Sequence, residues 1–155
     1  LAPQAKILKS NILTGLTIRR YESFHSCPSY SKLTASDHQK KLQAAGIHIL
    51  FKQADDGSII LGDSHEYAPV HKQSQFGFEI STEINQLMLD EAKKILHLSD
   101  WTVDSSWAGY YLQSSVEDVF TKTVDNVIHI INGIGGKGMT TSPGFTQEYI
   151  QKLYE

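Results

Sequence analysis

Two apolar-rich stretches, Ile47–Gln53 and Ser58–Tyr67, flank Ala54-Asp-Asp-Gly57. Asp and Gly tolerate the positive φ values of a tight turn, so the pattern predicts a β-hairpin. Between Thr82 and Leu98 the period changes. Ile84, Leu87, Met88, Ile95 and Leu98 recur at helical spacing, with Ser81 or Thr82 as N-cap, Glu83 early and Lys93, Lys94 and His97 late. A shorter helix is expected after Ser36 and Asp37, with Leu42 and Ala45 on its apolar face and Gly46 at the residue past its end. Thr14–Tyr21 alternates weakly and predicts a strand running into a loop at Cys27-Pro28; Trp107–Ser114 and Val127–Ile131 predict further strands. Ser142–Tyr154 predicts a closing helix with Phe145, Tyr149, Ile150 and Leu153 on its inner face. Strands joined by hairpin-length links and interrupted by helices give an α+β fold, a mixed and largely antiparallel sheet with flanking helices.

Composition adds limits. With 155 residues, 40% hydrophobic and 20% charged, the chain has material for an ordinary globular core. The net charge is -3, and the Lys and Arg residues are spread out, so nucleic acid is not an expected partner. No apolar run approaches the ~20 residues of a bilayer span, and no membrane association is expected. A chain that starts at Leu1 is expected to be a piece of a longer polypeptide. The single Cys27 is expected to be a buried, inert thiol in a reducing cytoplasm.

The densest chemical signal is Gly133-Ile-Gly-Gly-Lys-Gly-Met-Thr140, between the strand at Val127–Ile131 and the closing helix. Gly133, Gly135, Gly136 and Gly138 let backbone N–H groups approach a ligand, and a helix N-terminus follows. The sequence fits neither GxxxxGK[ST] nor GxGxxG, and too little chain follows it for a βαβ unit. The loop therefore completes a site built elsewhere.

Gly135-Gly136-Lys137-Gly138-Met139-Thr140, this close to the end, resembles the last flavin-contacting loop of the D-amino-acid-oxidase and sarcosine-oxidase superfamily of FAD-dependent oxidoreductases. Ser58-Ile-Ile-Leu-Gly-Asp-Ser-His-Glu-Tyr67 is similar to that superfamily's strand ending beside the flavin, and Trp107-Ala-Gly-Tyr-Tyr111 to its W-x-G-x-[RY] strand. Order and spacing match from about Leu13 onward, most like the branch associated with aminophosphonate breakdown. The resemblance implies that residues 1–125 belong to a substrate-binding domain of the D-amino-acid-oxidase type and that 126–155 complete the FAD site. The N-terminal Rossmann portion holding the ADP half of FAD would be a missing part of the same polypeptide. It further implies oxidation of an amine or amino-acid-like substrate by hydride transfer to the flavin, with the fragment alone binding FAD weakly or not at all.

By the same resemblance, Gly133, Gly135, Gly136, Lys137, Gly138, Met139 and Thr140 contact the cofactor, their N–H groups stabilising negative charge at the flavin's pyrimidine edge. Lys137 is a catalytic candidate, as a clamp on an anionic tail or as support for the reduced flavin, against the alternative of a solvent-facing lysine. Many relatives carry arginine where Tyr111 stands, so a simple α-amino acid is not the expected substrate; Tyr111 is a candidate to close the pocket, or a core tyrosine. His65, the other catalytic candidate, and Ser64 end the strand expected to approach the flavin. A histidine there suits substrate orientation or proton acceptance. Alternation separates His65 from Ser64 and Glu66 and leaves open which face meets the cofactor. Arg20, beside Arg19, is a candidate anion clamp for the substrate.

A different class of reading takes Asp63, His65, Glu66 and His71 as the metal ligands of a hydrolase. His65 and His71 lie six apart with Pro69 between them, matching no two-ligand spacing, and the other histidines are scattered, so no metal site is expected. A non-catalytic small-ligand module is the remaining alternative.

Overall fold

The predicted hairpin organises the first part of the molecule. The computed structural model describes residues 1–20 and 24–155, and the side chains of all of these except Arg20 and 73–75. It divides into two units, Leu1–Ala108 and Gly109–Glu155. In the first, strands β1 (Ile12–Leu13), β2 (Leu50–Gln53) and β3 (Ile59–Gly62) form an antiparallel sheet in that order. Leu50 pairs with Gly62 and Gln53 with Ile59. The turn closes through the Gly57 N–H to the Ala54 carbonyl at 3.0 Å. Gly57 stands at φ 87, and a Cβ there would overlap the Gln4 carbonyl oxygen, so conformation and space both demand glycine. Asp56 accepts from the Ser58 N–H at 2.9 Å and hydroxyl at 2.7 Å, bonds that hold its carboxyl below the usual value.

Helix α2 (Asp37–Ala44) begins with a reciprocal capping box between Ser36 and Gln39. Helix α3 (Thr82–Ala92) is capped by the Ser81 hydroxyl, which accepts from the Ile84 N–H at 3.2 Å. It stops six residues before Leu98, because the Ala92 carbonyl takes both the Ile95 and Leu96 N–H groups and tightens the last turn. Leu42, Ile49, Phe51, Ile59 and Ala92 are fully buried and, with Leu16 and Ile47, make the core. Each large side chain buried there contributes about 1.5–3 kcal/mol relative to exposure.

Residues 1–8 run past Gln53 and the β2–β3 turn to the start of β3. Leu1 and Ile59 exchange backbone hydrogen bonds of 2.7 and 3.3 Å, and the Gln4 N–H meets the Gly57 carbonyl at 2.9 Å. The Gln53 side chain clasps the segment, accepting from the Ile7 and Leu8 N–H groups and donating to the Ala5 and Gly57 carbonyls.

The strand expected at Thr14–Tyr21 is not formed. After β1 the chain turns into helix α1 (Leu16–Arg20), opened by the Thr17 N–H to the Thr14 carbonyl at 3.0 Å. The weak alternation yields to tertiary packing: Leu16 enters the core. Arg19 donates from Nη2 to the Thr34 carbonyl; the Arg20 side chain and Tyr21 lie outside the described residues. Cys27 is exposed in a loop, so the buried thiol expected from composition is absent.

In the second unit β4 (Phe120–Val124) and β5 (Ile128–Asn132) form an antiparallel hairpin. Asp125 and Asn126, at φ 50 and 56, make its turn, closed by the Val127 N–H to the Val124 carbonyl at 3.1 Å. Helix α4 (Gly138–Tyr154) starts four residues before Ser142 and carries Pro143 within its second turn. Phe145 and Tyr149 stack at 6.2 Å, and Tyr149 meets His129 of β5 edge-on at 6.4 Å. Ile150, expected on the inner face, is exposed. The strand expected at Trp107–Ser114 is reduced to one bridge, Gln113 to Ile134. The fold is α+β as expected, with two small antiparallel sheets in place of one mixed sheet.

Candidate functional site

The glycine loop follows β5 as expected, with a single 3-10 turn at Gly135–Lys137 before α4. Gly133 and Gly135 stand at φ 74 and 66, values that exclude most side chains. The loop is pinned to the 111–114 segment. The Gly135 N–H donates to the Leu112 carbonyl at 3.2 Å, the Ser114 N–H to the Gly133 carbonyl at 2.8 Å, and a Cβ on Gly136 would lie 3.3 Å from the Tyr111 hydroxyl. Positive φ thus accounts for Gly133 and Gly135, and Gly136 sits close against the Tyr111 side chain. The first turn of α4 is different: Lys137 at the cap makes no side-chain capping bond, and Met139 is 98% exposed, with Thr140 exposed beside it. The 3-10 turn runs straight into α4, and the Gly135 carbonyl takes the Gly138 N–H, so backbone closes the helix start; the positive end of the helix dipole lies there beside exposed side chains. Lys137 Nζ lies 3.7 Å from Asp118 Oδ1, both side chains well exposed.

His65 and Ser64 belong to the other unit, just past β3. The β2–β3 register holds to Leu50 and Gly62 and then slips: His48 and Asp63 exchange both backbone hydrogen bonds, at 3.0 and 2.8 Å. Ile49 is the extra residue of a β-bulge, a device that re-aims side chains. Ile49 and His48 are both turned inward, His48 to 3% exposure. As a directly opposed pair His48 and Asp63 share a face, and Asp63 shares it with His65 two residues on.

The result is a compact cluster. Asp63 Oδ1 lies 2.5 Å from His48 Nε2 and Oδ2 3.4 Å from His65 Nε2, and the two imidazoles stack at 5.4 Å between ring centroids. Tyr67 stacks on the other side of His65 at 6.2 Å. Gly46 closes the arrangement from below at φ 63, where a Cβ would overlap the His65 carbonyl oxygen. His65 also lines a cavity of ≈ 570 Å³ with Gln43, Gly46, Glu66, Tyr67 and Phe76.

Sequence reasoning singled out Asp63 and His65 and passed over His48. A regular hairpin register would have set His48 opposite Ser64; only the slip at Ile49 brings it to Asp63, and no pattern in the sequence marks that slip. Glu66 and His71 are exposed and stand outside the cluster. No protein-family model matches the chain, and no curated protein or solved structure matches it.

Proposed function

We propose that the chain is the C-terminal portion of a FAD-dependent oxidoreductase of the D-amino-acid-oxidase and sarcosine-oxidase type, acting on an amine or amino-acid-like substrate. The observation that carries the reading is the exposed N-terminus of α4 behind a glycine loop pinned by backbone hydrogen bonds to the 111–114 segment. This geometry fits a cofactor edge that becomes negative: the helix dipole favours anionic charge at the exposed Met139–Thr140 end without reorganising. Bound FAD would supply a hydride acceptor for the carbon next to the substrate nitrogen. Lys137, in exposed contact with Asp118, adds a positive charge at the same end of the helix. The Tyr111 side chain lies beside Gly136, at the edge of the loop. On the substrate-domain side, His65 lines an open cavity with Asp63 fixing its ring, the arrangement a substrate-orienting or proton-accepting group requires.

Surface composition also supports the reading. Val116, Val127, Ile128, Met139 and Tyr154 are largely exposed in a unit that, among the described residues, buries only Gly133. In this reading the FAD-binding portion covers part of this apolar surface.

The test is spectroscopic. Expressed with the polypeptide that precedes it, the protein is expected to be yellow and to bleach anaerobically with an amine. Met139→Pro removes one N–H from a helical first turn, where proline is tolerated, and is expected to slow bleaching about 10²–10³-fold. A colourless protein, or one that no amine bleaches, ends the reading.

A further inference from the structure

We propose that His48, Asp63 and His65 bind one divalent first-row transition-metal ion of the zinc class. The inference goes beyond the flavin reading: a bound ion would take Asp63 and His65 as ligands in place of the proton-accepting role given to His65 there, it adds His48, and its test needs no flavin. It rests on three features. The first is ligand chemistry: two imidazoles and one carboxylate form a set suited to Zn²⁺, Fe²⁺ or Co²⁺, whereas Mg²⁺ and Ca²⁺ prefer oxygen ligands throughout. The second is convergence. One ligand atom from each residue lies within 4.8 Å of the other two, and Asp63 turns one oxygen towards each Nε2. Ligands ~2.0–2.2 Å from a tetrahedral zinc stand roughly 3.3 Å apart, so side-chain adjustment of about an ångström closes the site.

The third is placement. The bulge at Ile49 sets His48 and the hydrogen-bonded backbone sets Asp63, so two ligands stand on a paired ladder and the third on the adjoining residues. The His48 side chain is 4% exposed and that of His65 10%, while that of Asp63 is 48% exposed. An ion would therefore have a desolvated imidazole side and an open carboxylate side, with an entry path along the Asp63 edge. Three protein ligands leave a position for water or a small anion, the coordination of an open site rather than a closed structural one.

The 155-residue chain, stripped with chelator, would be titrated with Zn²⁺ by calorimetry and with Co²⁺ by visible absorption, with Mg²⁺ as the control. The expected result is one ion per chain, a Co²⁺ spectrum of low coordination number, a Zn²⁺-dependent rise in Tm, and no response to Mg²⁺. Asp63→Asn and His65→Gln keep shape and hydrogen bonding, and each is expected to weaken binding by at least about 100-fold, the upper end of what removing an outer-shell partner costs. Circular dichroism reports whether each variant is folded; if one is not, the other decides. Absence of saturable Zn²⁺ binding in the folded parent chain overturns the proposal and leaves a hydrogen-bonded His–Asp–His network. Unchanged affinity in the folded variants overturns it equally, as ions bound elsewhere.

Discussion

Gly46 connects a helix end to the chemistry of the molecule. Its N–H meets the Gln43 carbonyl and that of Ile47 meets the Leu42 carbonyl, both at 2.9 Å, the paired bonds of a left-handed helix terminus. The same residue lies against the His65 backbone. Gly46→Ala therefore carries two penalties: a left-handed alanine, about 1–2 kcal/mol, and a backbone overlap that displaces His65. A loss of at least ~2 kcal/mol is expected in urea denaturation, with a shifted His65 imidazole resonance. A loss under ~1 kcal/mol with the resonance unmoved would show that the neighbouring backbone yields without strain. The glycine at a helix end was legible from the sequence, since the apolar period stops there. Its second contact was not, because it joins residues nineteen apart across a register slip.

Among elements, α2 and α3 are joined by charge. Glu91 lies 2.9 Å from His38 and 2.6 Å from Lys94, and Lys94 lies 3.0 Å from His38; Lys41 and Glu83 approach to 3.6 Å along the same pair of helices. Burial would raise the Glu91 carboxyl, but hydrogen bonds and charge from Lys94 and His38 outweigh it and hold it below its ordinary 4.5. A carboxyl lowered by folding stabilises above its unfolded pKa, and that contribution is lost as the pH falls through the folded pKa. Glu91→Gln should cost about 0.5 kcal/mol at neutral pH for so exposed a network, with the difference from the parent chain shrinking from about pH 5 downward. Urea midpoints across that range check it; a difference independent of pH would remove Glu91 from the linkage. Elements with local signals, such as the Ser36 cap of α2 and the Asp-Gly turn between β2 and β3, could be read from the chain. Strand β4 was missed because Phe120-Thr-Lys-Thr-Val124 shows mostly polar residues on an exposed ribbon, although Asp125-Asn126 before a β-branched run was its available signal.

At the scale of the molecule, apolar burial is uneven. Leu1–Ala108 contains every buried hydrophobic side chain of the described residues, whereas β4, β5 and α4 hold together through a hairpin ladder and aromatic contacts at the surface. Local opening follows such differences. Native-state hydrogen exchange is expected to protect Phe51 at least about tenfold more than Ile130. Equal protection would mean that 109–155 is held as firmly as the core. Residues 1–8 have a role no element label conveys. Clasped by Gln53, they cross the β2–β3 turn and pair Leu1 with Ile59, covering the start of the open flank of β3 in the way natural sheets blunt their edges. A protease cut near Ile7 would loosen that cover and free the Ile59 backbone groups to pair with a strand of another molecule, making the clasp a guard against strand-to-strand polymerisation.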